Sequence, residues 1–207
     1  MSVRLQRWLV VGAMFFAAFV LLGLNVTRQP LSLDVEVAGA MHSAYTQPIG
    51  RVAQAGSDVL GPVLPYILGM VLLALALRRR EHTGLCVRLA VVLVLCRLTS
   101  LAFKPVFLRE RPRDYPDLSY PSGHVTSVAS TGFVLLLLCA WLWPRLVRRV
   151  AAAVAVAVVL AAACRVVLGV HWVTDTIGAV LAVVGVGLLS ACALRLLPPG
   201  DGRSLDG

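Results

Sequence analysis

The chain has 207 residues, of which 59% are hydrophobic and only 14% charged, where a soluble domain of this size carries about a quarter charged residues. That composition excludes an ordinary soluble globular domain. The net charge of +9 is spread over several loops rather than gathered in one patch, which argues against a nucleic-acid-binding module.

A membrane-spanning helix needs roughly 20 apolar residues to cross about 30 Å of hydrocarbon. Six stretches meet or approach that length: 8–26, 60–77, 85–103, 124–143, 149–167 and 172–195. They predict an all-α fold, an integral membrane bundle of six transmembrane helices in one domain over residues 1–197. The first stretch follows Arg4 and Arg7, as the core of a cleaved signal peptide would. Its apolar run is long, however, and Ala38-Gly39-Ala40 lies too far beyond it for cleavage, so an uncleaved helix is the reading. Residues 27–59 form a long connection for a compact bundle. Ser32 is a candidate cap for a short helix over 33–44, lying on the outer membrane surface beside a site; a plain solvated loop is the equal alternative. The second span has Pro62 and Pro65 near its start, where proline is best tolerated. The five cysteines (Cys86, Cys96, Cys139, Cys164 and Cys192) lie in or beside spans, with spacing that suits neither zinc nor a disulfide framework. The tail from Pro198 to Gly207 reads as a mobile extension. Oligomeric state is not legible. Small residues such as Gly178, Ala182 and Gly185 suit close helix packing, within the same bundle first of all.

Charge orients the bundle. Arg4 and Arg7, then Arg78, Arg79, Arg80 and Arg88, then Arg145, Arg148 and Arg149, then Arg195 and Arg203 all fall at one set of ends if there are six spans. The positive-inside rule makes that side, and both termini, cytoplasmic in a multi-pass protein of the cell membrane. The loop at 104–123 breaks the pattern with Lys104, Arg109, Arg111 and Arg113 on the outer side.

Three polar clusters interrupt the apolar chain, all on that outer side: Lys104 with Arg111-Pro112, then Pro121-Ser122-Gly123-His124, then Arg165 with His171 and Asp175. Lys104 is the only lysine in the sequence. Lys104, Arg111 and Arg165 are cations suited to a phosphate, arginine offering paired donors. Anchoring at the membrane interface is the other reading, and it serves Arg109 and Arg113 well. Arg165 sits within an apolar run, where ionisable residues mark function. Ser122 and Gly123 open a helix whose free N–H groups favour an anion. Ser122 is either a plain helix cap or a phosphate donor, Gly123 permits close approach to the backbone, and His124 is placed to donate a proton. His171 and Asp175 are four residues apart and share a face if helical, so that the carboxylate would orient the imidazole as a nucleophile. Two histidines and Asp175 also make a conceivable zinc set, but three cations aimed at the same pocket argue against a metal. Arg97 lies two turns below Lys104, either supporting the pocket with Asp58 as partner or bonding backbone carbonyls in the bundle.

These residues resemble the type 2 phosphatidic acid phosphatase superfamily, which also includes the vanadium-dependent haloperoxidases. Its first motif, a lysine, six residues and Arg-Pro, is matched by Lys104 to Pro112. Its second, Pro-Ser-Gly-His, is matched by residues 121–124. Its third, Ser-Arg, five residues, His, three residues, Asp, is matched by Arg165, His171 and Asp175, with Cys164 in place of the serine. The resemblance implies that Lys104, Arg111, Ser122, Gly123 and Arg165 bind phosphate, that His171 attacks phosphorus with Asp175 orienting it, and that His124 protonates the leaving oxygen. No metal or other cofactor is implied. Cys164 would weaken one phosphate hydrogen bond, since a thiol donates poorly. The expected partners are membrane lipids and a lipid phosphate or diphosphate substrate, of the polyprenyl diphosphate, phosphatidic acid or phosphatidylglycerol phosphate type. Two alternatives stand beside hydrolysis: a phosphotransferase using a lipid donor, and a non-catalytic membrane protein that binds or transports anions.

Overall fold

A computed structural model describes residues 3–197, apart from the side chain of Arg4; the expected C-terminal tail lies outside the described residues. These residues fold into helices α1 (Val3–Arg28), α2 (Ser32–Ala40), α3 (Pro48–Val59), α4 (Val63–Arg78), α5 (Thr83–Phe107), α6 (Gly123–Leu142), α7 (Val147–Val167) and α8 (Val173–Ala193), with short 3-10 turns and no strand among them. Six helical stretches are long and apolar enough to cross a membrane: Leu5–Arg28, Pro48–Arg78, Arg80–Phe107, Gly123–Leu142, Pro144–Val167 and Val173–Ala193. Large apolar side chains such as Leu21, Tyr66, Met70 and Val159 point outward from them, as lipid-facing residues of a membrane bundle do.

α6 and α8 are the most enclosed helices, while α7 lies at the edge. Glycines let α8 approach its neighbours: a Cβ on Gly185 would come within 2.7 Å of the Phe16 backbone nitrogen of α1, and one on Gly187 within 2.7 Å of the Phe133 ring of α6. The small residues of α8 are thus used inside the bundle. α1 runs antiparallel to α8, Gly12 lying beside Leu188 and Gly23 beside Tyr120. One core cluster joins α4, α5, α6 and α8 through Leu72, Leu89, Val92, Val134 and Val183. A second, aromatic cluster sits at the opposite end of α8. There Tyr120 stacks on Phe19 at 5.4 Å, meets Phe107 edge-on at 5.0 Å and donates its hydroxyl to the Phe19 carbonyl at 2.7 Å.

This aromatic cluster changes two expectations. α5 continues past residue 103 to Phe107, because Phe103 and Phe107 both join the cluster. Lys104 therefore stands on the last helical turn rather than in the loop, and Pro105 falls in that same turn, near the helix end where lost bonding is least disruptive. Leu108, at φ 49°, ends the helix in the left-handed conformation, and its N–H returns to the Lys104 carbonyl at 3.0 Å.

The connection at 27–59 is not a plain solvated loop. It holds α2 and α3, and α3 lies against α7, with Ala53 packed beside Leu168 and Val170. Ser32 does not cap α2. It is the first helical residue, Leu31 precedes it, and no side chain caps that end.

Candidate active site

The ends of α5 and α7 and the starts of α6 and α8 meet at one end of the bundle, and the three polar clusters meet with them. His171 lies in the turn just ahead of α8, not on the helix, while Asp175 occupies its first turn. The pair still closes, with His171 Nδ1 3.2 Å from Asp175 Oδ2. The turn, rather than a shared helical face, brings them together. Oδ2 also accepts from the Trp172 N–H at 2.8 Å and from the Ser119 hydroxyl, while Oδ1 accepts from Arg109 Nη1 at 2.5 Å. A carboxylate placed at a helix N-terminus is favoured by the free N–H groups there.

The tautomer of His171 follows from its neighbours. Carboxylate oxygens only accept, so Nδ1 carries the proton. Arg111 Nη1, which only donates, lies 3.2 Å from Nε2, so Nε2 presents its lone pair. His171 is 2% exposed. Its pKa is lowered from 6.5 to about 4, chiefly because burial disfavours the imidazolium; Asp175 pulls the other way, and the Arg111 and Arg165 charges add to the lowering. At neutral pH the ring is an uncharged base.

Arg111 is fixed by the backbone. Its Nε donates to the Asp117 carbonyl at 2.8 Å, Nη1 to the Val170 carbonyl at 2.6 Å and Nη2 to the Leu118 carbonyl at 3.2 Å. The Tyr115 ring lies 4.7 Å beneath its guanidinium. Arg165, 5% exposed on α7, donates to Ser57 Oγ of α3 at 2.9 Å, and its Nε has no partner. Lys104 pairs with Asp117. Burial works against the Asp117 charge, but the bonds from Lys104 and the Leu118 N–H and the positive field of Lys104 and Arg111 prevail, so its pKa falls below the usual carboxylate value.

Ser122 precedes α6 in an extended conformation and caps nothing with its side chain. Its hydroxyl is fully buried and unpartnered. An unpaired buried hydroxyl is costly, so this atom is one that a ligand oxygen would satisfy. His124, the second residue of α6, lies in the field of Arg165, Arg111 and Asp58 and near His171. A Cβ on Gly61 would lie 3.3 Å from its ring, so the break between α3 and α4 forms one wall of its position. Pro112 and His171 both line a cavity of about 240 Å³ that opens toward α2.

Three expected roles find different geometry. Gly123 is pressed by α5, since a Cβ there would lie 3.3 Å from Ser100 Oγ, so helix packing already accounts for the glycine. Arg97 donates to the Gly123 carbonyl at 3.2 Å, the backbone alternative, while Asp58 accepts instead from Gln54 at 2.7 Å. Cys164 turns its sulfur toward α3, 2.8 Å from where a Gly56 Cβ would stand, so the thiol packs between helices.

Arg109 departs most from expectation. It is no interface anchor: only 3% exposed, it bridges Asp175 and Asp34. Asp34, Ser57, Ser119 and Thr174 also reach the site or its supports without having been singled out. Asp34 carried one usable signal, an acid on a short helix of an outer segment; the three hydroxyl residues carried none.

Comparison with known proteins agrees with this architecture. A search of curated proteins finds no match. Among solved structures, the chain is similar to a transmembrane PAP2-type phosphatidylglycerolphosphate phosphatase from Bacillus subtilis. The two share 22% identity and a TM-score of 0.69 over 89% of this chain and 94% of that one, which establishes a common fold. The PAP2 superfamily model matches residues 82–197, a stretch that contains all three polar clusters and more than half of the sequence. On that match, this multi-pass membrane protein belongs to the PAP2 superfamily.

Proposed function

We propose that the protein is a metal-independent lipid phosphate phosphatase that works through a phosphohistidine on His171. The observation that carries this reading is the Nε2 lone pair of a buried, neutral imidazole, pinned by Asp175 from behind and faced by Arg111. Superfamily membership and the unpartnered Ser122 hydroxyl and Arg165 Nε support a phosphate among these cations.

Lys104, Arg111, Arg165 and Ser122 hold the phosphoryl oxygens and take up charge as it spreads onto them in the transition state. His171 Nε2 bonds to phosphorus as the bond to the lipid oxygen breaks, and His124 gives that oxygen a proton. Water then attacks phosphorus, His124 takes its proton, and the P–N bond breaks to release inorganic phosphate. The arginines at the opposite end of the bundle, Arg78, Arg79, Arg80, Arg145, Arg148 and Arg149, support a site on the extracytoplasmic face. The outward apolar surface supports a lipid substrate arriving laterally from the bilayer.

The test is phosphate release by purified protein from phosphatidic acid, phosphatidylglycerol phosphate and a polyprenyl diphosphate in detergent micelles, with and without chelator. Release into plain buffer, unchanged by chelator and abolished in His171→Ala, is expected. Undiminished release by His171→Ala would exclude the phosphohistidine, and release only with an added acceptor would indicate a phosphotransferase.

A further inference from the structure

Asp34 lies outside the three motifs and Arg109 is one of the unspecified residues within the first, yet both are buried as completely as His171 and Asp175. Asp34 is 1% exposed, Arg109 3% and Asp175 0%. An isolated buried charge is costly, and a buried ion pair is retained only where its geometry and extra hydrogen bonds are good. Here both terminal nitrogens of Arg109 are bonded, while its Nε has no partner. Arg109 Nη1 donates to Asp175 Oδ1 at 2.5 Å and to Thr174 Oγ1 at 2.7 Å, and Nη2 donates to Asp34 Oδ2 at 2.7 Å. The Thr174 hydroxyl closes the ring by donating to Asp34 Oδ2 at 2.6 Å. The Thr174 N–H donates to Asp34 Oδ1 at 3.0 Å, so Asp34 satisfies the start of α8 from a different helix, α2.

We infer that Asp34 and Arg109 are positioning residues, a buried bridge that fixes the carboxylate plane of Asp175 and thereby aims His171. The guanidinium is rigid and planar, so it sets the distance between the two carboxylates. With Oδ1 held by Arg109, Oδ2 is left directed at His171 Nδ1. The bridge is neutral in sum, one carboxylate against one guanidinium, so the negative charge beside the ring is that of Asp175 alone, held where it faces the positive charge the imidazole takes on when Nε2 bonds to phosphorus and Nδ1 keeps its proton. On this view α2 is part of the catalytic apparatus, although it precedes the first motif by some seventy residues.

The inference rests on the phosphohistidine reading, and the experiment separates the two. The double variant Asp34→Asn/Arg109→Gln removes both charges together, so neither is left buried alone. Thr174→Val removes only the central hydroxyl. Both are compared with the parent and His171→Ala in the full chain, on dioctanoyl phosphatidic acid or, if the parent turns it over faster, farnesyl diphosphate. The double variant is expected to lose roughly 10- to 100-fold in kcat, as misplacement of a reacting group does. Its KM should stay within about 3-fold, since phosphate binding is left to other residues. The acid limb of its kcat/KM profile should move to higher pH, because Asp175 freed from Arg109 holds a proton on His171 more strongly against the charges of Arg111 and Arg165. Thr174→Val should show the same changes on a smaller scale. Parental kcat and a parental acid limb in folded Thr174→Val, or in the folded double variant, would overturn the inference. Activity in His171→Ala would instead overturn the mechanism beneath it.

Discussion

His171 combines two requirements that usually conflict, for it is buried yet presents an unprotonated nitrogen, Nε2, toward Arg111. Burial removes the imidazolium as an option near neutral pH, and the two arginines beside the ring act in the same direction. Asp175 opposes both but does not overcome them. The depressed value fixes the sign of the pH response. In an unfolded chain the imidazole protonates as pH falls through about 6.5, whereas in the folded protein it stays neutral until pH approaches about 4. Stability is therefore lost over that window, because the unfolded state binds the proton first. In ¹⁵N-histidine spectra of the detergent-solubilised protein, the His171 ring is expected to remain the Nδ1-protonated neutral tautomer through pH 6.5 and to titrate near 4; titration near 6.5 would contradict the burial argument. The residues of this centre were legible in the sequence to the extent that their chemistry is unusual in an apolar chain. Lys104, Arg165, His171 and Asp175 stand out there on charge alone. Ser119 and Thr174 do not, because a hydroxyl is ordinary in a membrane helix or loop, and only folding shows which one meets a carboxylate. Arg109 is visible in the sequence, but its role is not, since its partner Asp34 is 75 residues away.

At the scale of elements, hydrophobic length locates the spans well, since a bilayer dictates it. It is silent on α2 and α3, whose placement depends on distant partners: Asp34 on Thr174, Ser57 on Arg165, and Gly56 on Cys164. The same dependence makes α8 sensitive at Gly178. A Cβ there would stand 2.3 Å from the ring of Tyr120, which is fully buried and held by Phe19 and Phe107. Tyr120 has no room to yield, and its neighbour Ser119 bonds Asp175. Gly178→Ala is therefore expected to destabilise by about 1–3 kcal/mol, as overpacking of a filled core does. It should also depress turnover more than Gly69→Ala, where an added Cβ meets nothing within 4 Å. Thermal midpoints in detergent and phosphate release from the two variants check this, and equal behaviour would show that α8 can shift without disturbing the site.

For the whole molecule, the bundle has two chemically distinct ends. One gathers the site, with the loop at 109–122 across it. The other carries Arg78, Arg79 and Arg80 at the end of α4 and just past it and Arg145, Arg148 and Arg149 around the start of α7, all of them exposed. Cationic loops resist translocation, so the arginine-rich end is expected in the cytoplasm. The cations at the site end do not contradict this, because they are engaged: Lys104 by Asp117, Arg109 by Asp34 and Asp175, and Arg111 by backbone carbonyls. Asp114 and Arg148 are exposed at opposite ends, and the native cysteines are buried or half-buried. A membrane-impermeant maleimide applied to intact cells is therefore expected to label Asp114→Cys, and to label Arg148→Cys only after permeabilisation. The reverse pattern would place the site in the cytoplasm, where the substrate would have to reach it from the inner leaflet.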